Sequence, residues 1–131
     1  MTIFQAIGIA GSGVTVYRKW LDAVSDNIAN LNTVRSTDQS AYQARQVIAT
    51  PMPDGTGVQV GGTAQGSATG RLVYEPTHAL ADARGYVRYP DIDLGQQMGE
   101  LMMAQRGYQA NISVVDRARE AYQAALQLGR A

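Results

Sequence analysis

Near the amino terminus the apolar residues fall at Ile3, Ile7, Ala10, Val14, Tyr17, Leu21, Val24, Ile28 and Leu31, in steps of four and three. That spacing is a heptad seam and predicts one long amphipathic α-helix. Thr2 followed by Gln5 has the form of a capping box, so the helix is expected to start almost at the first residue and to occupy segment 1–33. About 30 helical residues span about 45 Å. The carboxy-terminal third repeats the rhythm, with Leu94, Met98, Leu101, Tyr108, Ile112, Val115, Tyr122 and Leu126 on one seam interrupted by Gln105 and Arg119. Asp93 with Gln96 supplies a second cap directly after Pro90, which predicts a second helix over 93–131.

Between the two, over 34–92, the heptad spacing vanishes and turn residues gather at Pro51 to Gly55, Gly61-Gly62, Gly66 to Gly70 and Ala83 to Gly85. The intervening runs, Tyr42 to Ala49, Val58 to Val60, Arg71 to Glu75 and Tyr86 to Tyr89, are rich in Val, Ile and Tyr and read as the strands of two hairpins or a small sheet. Gly61 to Gly70 reads as a mobile loop. The fold class is therefore α+β: two long terminal helices pairing as an antiparallel coiled coil, with a β-hairpin-rich insert between them.

Met102, Val114, Ala118, Ala121 and Ala125 extend the apolar surface of the second helix beyond a single seam, and such a surplus predicts partners. Joining the terminal helices closes a loop of roughly 60 residues, at an entropic cost on the order of 3 to 4 kcal/mol. The isolated chain is expected to be only marginally stable. The stretch Ser25 to Thr33, SDNIANLNT, places Asn and Asp where a helix favours Ala, Glu or Lys. On the heptad Asp26, Asn27 and Asn30 are expected to point aside or outward, offering short amides to the backbones of neighbouring subunits.

The 131 residues carry eleven basic and eleven acidic side chains, so the formal charge is zero. The basic residues, Lys19 and ten arginines, are scattered, which argues against nucleic acid. With no cysteine, disulfides, thiol catalysis and thiolate metal sites are excluded. No run of about 18 apolar residues occurs, and the amino terminus lacks the charged and apolar regions of a signal peptide. Any export is expected to proceed without signal cleavage. Arg18 and Lys19 alone make too small a basic face for an anionic membrane surface.

Candidate chemistry is thin. Gly8 to Gly13 is glycine-rich, but its spacing matches neither phosphate-binding pattern and no strand fits before it. Close approach of a neighbouring helix explains the glycines better, and in an antiparallel pair Arg119 is expected beside them. His78 with Asp82 supplies two metal ligands where zinc or iron needs three or four, so a turn or hydrogen-bonding role is favoured. Ser67, His78 and Asp82 lack the sequence context of a nucleophile. Asp91 and Asp93 are accounted for by a turn and a helix cap, and the sequon at Asn111 lies inside the predicted second helix. No enzymatic activity, cofactor, metal or small-molecule substrate is indicated.

Taken together, three segments resemble one family. Ala23 to Thr33, AVSDNIANLNT, is similar to the signature at the end of the first helix in the axial rod and hook proteins of the bacterial flagellum. Tyr74 to Asp93, YEPTHALADARGYVRYPDID, resembles a stretch found in one branch, the short proximal rod proteins, and Ala104 to Asn111 with Leu126 to Gly129 resembles the family's closing segments. Ala79, Asp91 and Gly107 depart from the family pattern. The resemblance implies a structural subunit, exported unfolded through the flagellar type III apparatus, that polymerises into the proximal rod crossing the envelope. It implies as partners other copies of itself, other proximal rod proteins, the distal rod protein, and the export gate and MS-ring junction. On the same basis Asp26, Asn27, Ala29, Asn30, Thr33, His78, Asp82, Gly85, Tyr86, Tyr108 and Asn111 are candidate assembly residues. Ile7, Val14, Leu21, Val24, Ile28, Leu31, Leu101, Ile112, Val115, Tyr122 and Leu126 are the candidate helix seam. The alternatives are the second short proximal rod branch and a soluble coiled-coil adaptor.

Overall fold

The computed structural model describes residues 1–130. Six elements follow in order: α1 (Ile3–Ala29), β1 (Arg45–Pro51), β2 (Val58–Gln65), β3 (Arg71–Tyr74), β4 (Tyr86–Tyr89) and α2 (Leu94–Leu128). The capping box at Thr2 forms in both directions, with the Thr2 hydroxyl accepting from the Gln5 N–H and the Gln5 amide oxygen accepting from the Thr2 N–H. At α2 the Asp93 carboxylate accepts from the Gln96 N–H at 2.7 Å. Helix α1 stops at Ala29, short of the expected Thr33, with Asn30 as its cap. The Asn30 amide donates to the Asp26 carbonyl and accepts from the Thr33 hydroxyl, so side chains take over the groups that another helical turn would need.

The two helices lie antiparallel. Phe4 meets Tyr122 edge to face at 5.3 Å, Gly13 faces Asn111, Gly107 lies on the Tyr17 ring, and Asn27 bonds Gln97. The contact line combines the half-buried seam residues Leu101, Tyr108, Ile112 and Val115 with a second series of smaller side chains. Buried most deeply in α2 are Gln97 and Ala104, with Asn111 and Ala118 half-buried, a seven-residue series of small or polar side chains. Leu94 and Met98 are 47% and 44% exposed, and Tyr122 and Leu126 are exposed as well. A line of small residues lets the backbones approach closely, and the bulky neighbours are displaced to either side.

The strands make two separate antiparallel ribbons, β1 with β2 and β3 with β4. Gly61-Gly62 was expected in a mobile loop. It lies inside β2, where the register slips between Ile48 and Ala49 and a side chain on Gly61 would collide with Thr50. Glycine here makes the bulge rather than a break. Gly66 to Gly70 is also tied down: the Gly66 N–H donates to the Ala44 carbonyl, the Gln43 amide to the Gly66 carbonyl and the Ala41 N–H to the Ala68 carbonyl. The first ribbon packs on α1 beside α2, and the Ser12 hydroxyl accepts from the Val58 N–H at 3.0 Å.

The glycines of α1 do not act alike. A Cβ on Gly13 would come within 2.6 Å of the Asn111 amide oxygen, whereas Gly8 and Gly11 have nothing within 4 Å. Arg119, expected beside them, is exposed, and Asn111 occupies the place instead. The reason is register, since Phe4 opposite Tyr122 places Arg119 below the glycine turn. We expect Gly107→Val, whose Cβ would sit 2.3 Å from the Tyr17 ring, to destabilise the chain by about 1–3 kcal/mol or more in urea unfolding. Gly8→Ala and Gly11→Ala should each stabilise it by about 0.5–1 kcal/mol.

Candidate assembly surface

Of the motif residues of the first helix, Asn27 is the buried one. Its side chain is 1% exposed, contrary to the outward orientation expected from the heptad. The amide nitrogen donates to the Arg45 carbonyl and to the Gln97 side-chain oxygen, both at 2.9 Å, and the amide oxygen accepts from the Arg45 N–H at 2.8 Å. One side chain thereby joins α1, the first residue of β1 and the first turns of α2. Only a group that both donates and accepts can do this. Asp26 next to it is half-exposed and pairs with the Arg45 guanidinium at 3.1 Å, the single ion pair among the described residues. Ala29 faces solvent, while Asn30 and Thr33 close the helix as described above.

The second motif builds the β3–β4 connection around Asp82. Its carboxylate accepts from the Arg84 N–H at 2.9 Å, the Tyr86 N–H at 3.0 Å and the Thr37 hydroxyl at 3.1 Å. The Tyr86 bond, helped by those of Arg84 and Thr37, holds the carboxyl below the ordinary carboxylate range against the opposing effect of desolvation. Gly85 adopts φ +84°, and a side chain there would strike the Tyr74 ring at 2.8 Å. Tyr86 packs edge to face on Tyr74 at 5.3 Å. His78 accepts from the Leu80 N–H through Nδ1 at 3.0 Å and so is a turn residue. Among the described residues no three His, Asp or Glu side chains converge in a way that could hold a metal ion.

Sequence reasoning passed over Gln97, Arg88 and Ser12. Arg88 pairs its backbone with Arg35 in both directions at 2.8 Å, and its guanidinium donates to the Thr37 and Thr69 carbonyls, lashing two loops across β4. No composition signal marks such a residue. Gln97 did leave one: Gln97, Ala104, Asn111, Ala118 and Ala125 recur every seven positions, a heptad hidden because it is not apolar.

Tyr108 and Asn111 are half-buried on the helix contact, where the Asn111 amide donates to the Gly107 carbonyl. Ile7, Val14, Leu21, Ile28, Leu31, Leu101, Ile112 and Val115 are likewise half-buried, and Val24 is fully buried. The bulk of the remaining apolar surface is exposed. Leu94, Met98 and Met102 recur at four-residue steps along α2, with Met102 53% exposed, and Val114 and Leu128 are exposed on another face of the helix. The chain exposes 8645 Å², whereas a compact protein of its mass exposes about 6,700 Å². Part of that excess is apolar, contributed by Leu94, Met98, Met102 and the other exposed large side chains, and exposed apolar surface of this kind marks contact with other proteins.

The family model described as flagellar basal body rod FlgEFG protein C-terminal matches residues 83–128, from the β3–β4 turn through α2. Across the chain, the flagellar basal-body rod protein FlgC of Escherichia coli O6:H1 is 36% identical, covering 99% of this chain and 100% of that protein. Its counterpart from Salmonella typhimurium is 37% identical with the same coverage, and that from Borreliella burgdorferi is 30% identical with 98% of each chain covered. The paired terminal helices with their unpartnered apolar stripe are thus those of a structural subunit of the flagellar basal-body rod. Within that class, the chain belongs to the FlgC family.

Two substitutions probe the two motifs. Asn27→Ala strands the Arg45 backbone groups and the Gln97 oxygen and should cost about 2–4 kcal/mol in urea unfolding. Since the Asp82 pKa is depressed in the folded state, its stabilising effect is present above the unfolded carboxylate value of about 4 and is lost as pH falls through the folded value. The acid limb of an unfolding-versus-pH curve should therefore flatten in Asp82→Asn, with stability also lower at neutral pH.

Proposed function

We propose that this chain is a proximal rod subunit that self-assembles with other rod proteins into the drive shaft transmitting torque. The two helices, Ile3–Ala29 and Leu94–Leu128, form its core as an antiparallel coiled coil, and the segment between them forms an outer β-rich domain. The observation that carries the reading is the stripe from Leu94 through Met98 and Met102, apolar and solvent-facing in the single chain. A rod subunit buries such a stripe against its neighbours. Methionine suits a surface that must meet several different partners, because its side chain adapts to each. The partners are further copies, the other proximal and the distal rod proteins, and the junction with the export gate and MS ring. The role is structural, without catalysis.

Export through the flagellar type III apparatus without signal cleavage fits a chain with no cysteine and a thin core of Ala and Val. Of the motif residues, Asp26, Ala29 and Tyr86 reach solvent and are assigned to contacts between subunits. Asn27, Thr33, Asp82, Gly85 and Asn111 act on assembly by fixing the shape that carries those contacts.

Met98→Glu combined with Met102→Glu should leave the monomer's circular dichroism and unfolding midpoint unchanged within about 0.5 kcal/mol and abolish motility. Leu21→Asp or Ile112→Asp, which place a charge in the half-buried helix contact, should abolish motility without blocking secretion. Normal swimming in these variants would overturn the rod reading. A discrete dimer by sedimentation, indifferent to the Met changes, would favour a soluble adaptor.

A further inference from the structure

Among the Asp and Asn residues of the chain, Asp54 alone is followed by glycine. Asp54-Gly55 forms the exposed tip of the β1–β2 hairpin. An aspartate side chain can react with its own main chain: the nitrogen of the next residue bonds to the carboxyl carbon, water leaves, and a cyclic succinimide closes. Water then opens the ring at either carbonyl. Attack at the side-chain carbonyl returns aspartate, whereas attack at the main-chain carbonyl leaves isoaspartate, whose backbone runs through the side-chain carbon. The water lost is regained, so no oxidant or other reactant is needed. Glycine favours closure because no side chain shields its nitrogen. Here Gly55 has φ +70°, and a Cβ on it would meet nothing within 4 Å, so no neighbouring element guards the tip on that side.

Hydrogen bonds oppose the reaction at both reacting groups. The Thr56 hydroxyl donates to Asp54 Oδ1 at 2.6 Å and the Thr56 N–H to the same oxygen at 3.1 Å, which draws the carboxyl toward Thr56. The Gly55 N–H donates to the Met52 carbonyl at 3.0 Å, which engages the attacking nitrogen. The Thr56 bonds, the hydroxyl's first, also hold the carboxyl below the ordinary carboxylate range and so keep it ionised, and the ionised form has no hydroxyl to release as water. We propose that Asp54-Gly55 is a site of spontaneous backbone isomerisation, at which aspartate passes through a succinimide to isoaspartate, and that the Thr56 hydroxyl is the latch that slows this in the folded chain. The site stands independently of the rod reading. Isoaspartate lengthens the main chain at the tip by a carbon atom. Close by, Gly57 packs against Ser12 with no room for a side chain, and the Val58 N–H donates to the Ser12 hydroxyl. A longer tip loosens this fastening of the ribbon to α1.

The full-length protein and its Thr56→Val and Thr56→Ser variants, each shown by circular dichroism to be folded, can be incubated at neutral pH and mapped for isoaspartate by electron-transfer fragmentation of their peptides. Isoaspartate should accumulate at position 54 roughly tenfold faster in Thr56→Val than in the parent, and at the parent rate in Thr56→Ser. In guanidinium chloride, where the hydroxyl bond is gone, the Thr56→Val and parent rates should converge. Asp54→Glu, which would need a larger ring, should not isomerise at this position. In the purified isomer the Val58 amide should exchange with solvent about tenfold faster. No isoaspartate at position 54 in folded Thr56→Val, or a rate equal to the parent's, would overturn the proposal. So would an acceleration that persists in denaturant, since the hydroxyl would then not act through the folded tip. Unchanged Val58 exchange would overturn the loosening of the ribbon.

Discussion

The structure depends on the amide of Asn27. It bonds both backbone groups of Arg45 and the side chain of Gln97, so helix, ribbon and returning helix meet at one buried point. Each bond contributes about 1 kcal/mol net, but the penalty for leaving any of these groups unpaired is larger. That asymmetry selects one arrangement. If α2 slid by a heptad, Asn27 would face Ala104, with no partner, and Gln97 would lose its donor. A polar pair in a helix contact sets register in this way, even where an apolar pair would bind more strongly.

A register device is needed because the apolar core is too slight to impose one. Apart from Ile92, its fully buried hydrophobic side chains are Ala and Val. The small line formed by Gly13, Ala104 and Gly107 brings the backbones together with little area to bury. Leu94, Met98, Met102 and Leu126, which a self-sufficient two-helix protein would turn inward, remain outside. Much of the molecule's apolar surface thus stays in solvent in the single chain.

The β-rich middle is likewise held by polar geometry. Asp82 organises one turn through three donors, Arg88 clasps two loop carbonyls, and Ser12 and Arg45 fasten the first ribbon to α1. Neither two-stranded ribbon would be stable alone. Each holds because its backbone is fixed to something outside it.

Local chemistry made much of this legible in the sequence. The caps at Thr2 and Asp93, the helical rhythm, the strands from Tyr86 to Tyr89 and from Arg71, and the turn at His78 follow from residues within a few positions of one another. The surplus apolar face of α2 was readable for the same reason, since periodicity places residues on a face without reference to any partner. What touches each face is a different matter, because it depends on residues far apart in the chain. Apolar counting found Val24, Leu101, Ile112 and Val115, which are buried or half-buried, but passed over Gln97, Ala104 and Gly107, which close approach of the backbones brings into the contact. Gly61-Gly62 read as a break because an isolated strand gains nothing from glycine, and it became a bulge once β1 supplied Thr50 opposite. Asn27 looked like a surface residue because nothing near it in sequence could satisfy its amide. The tertiary structure alone brings Arg45 and Gln97 within reach, and so decides that this asparagine faces inward.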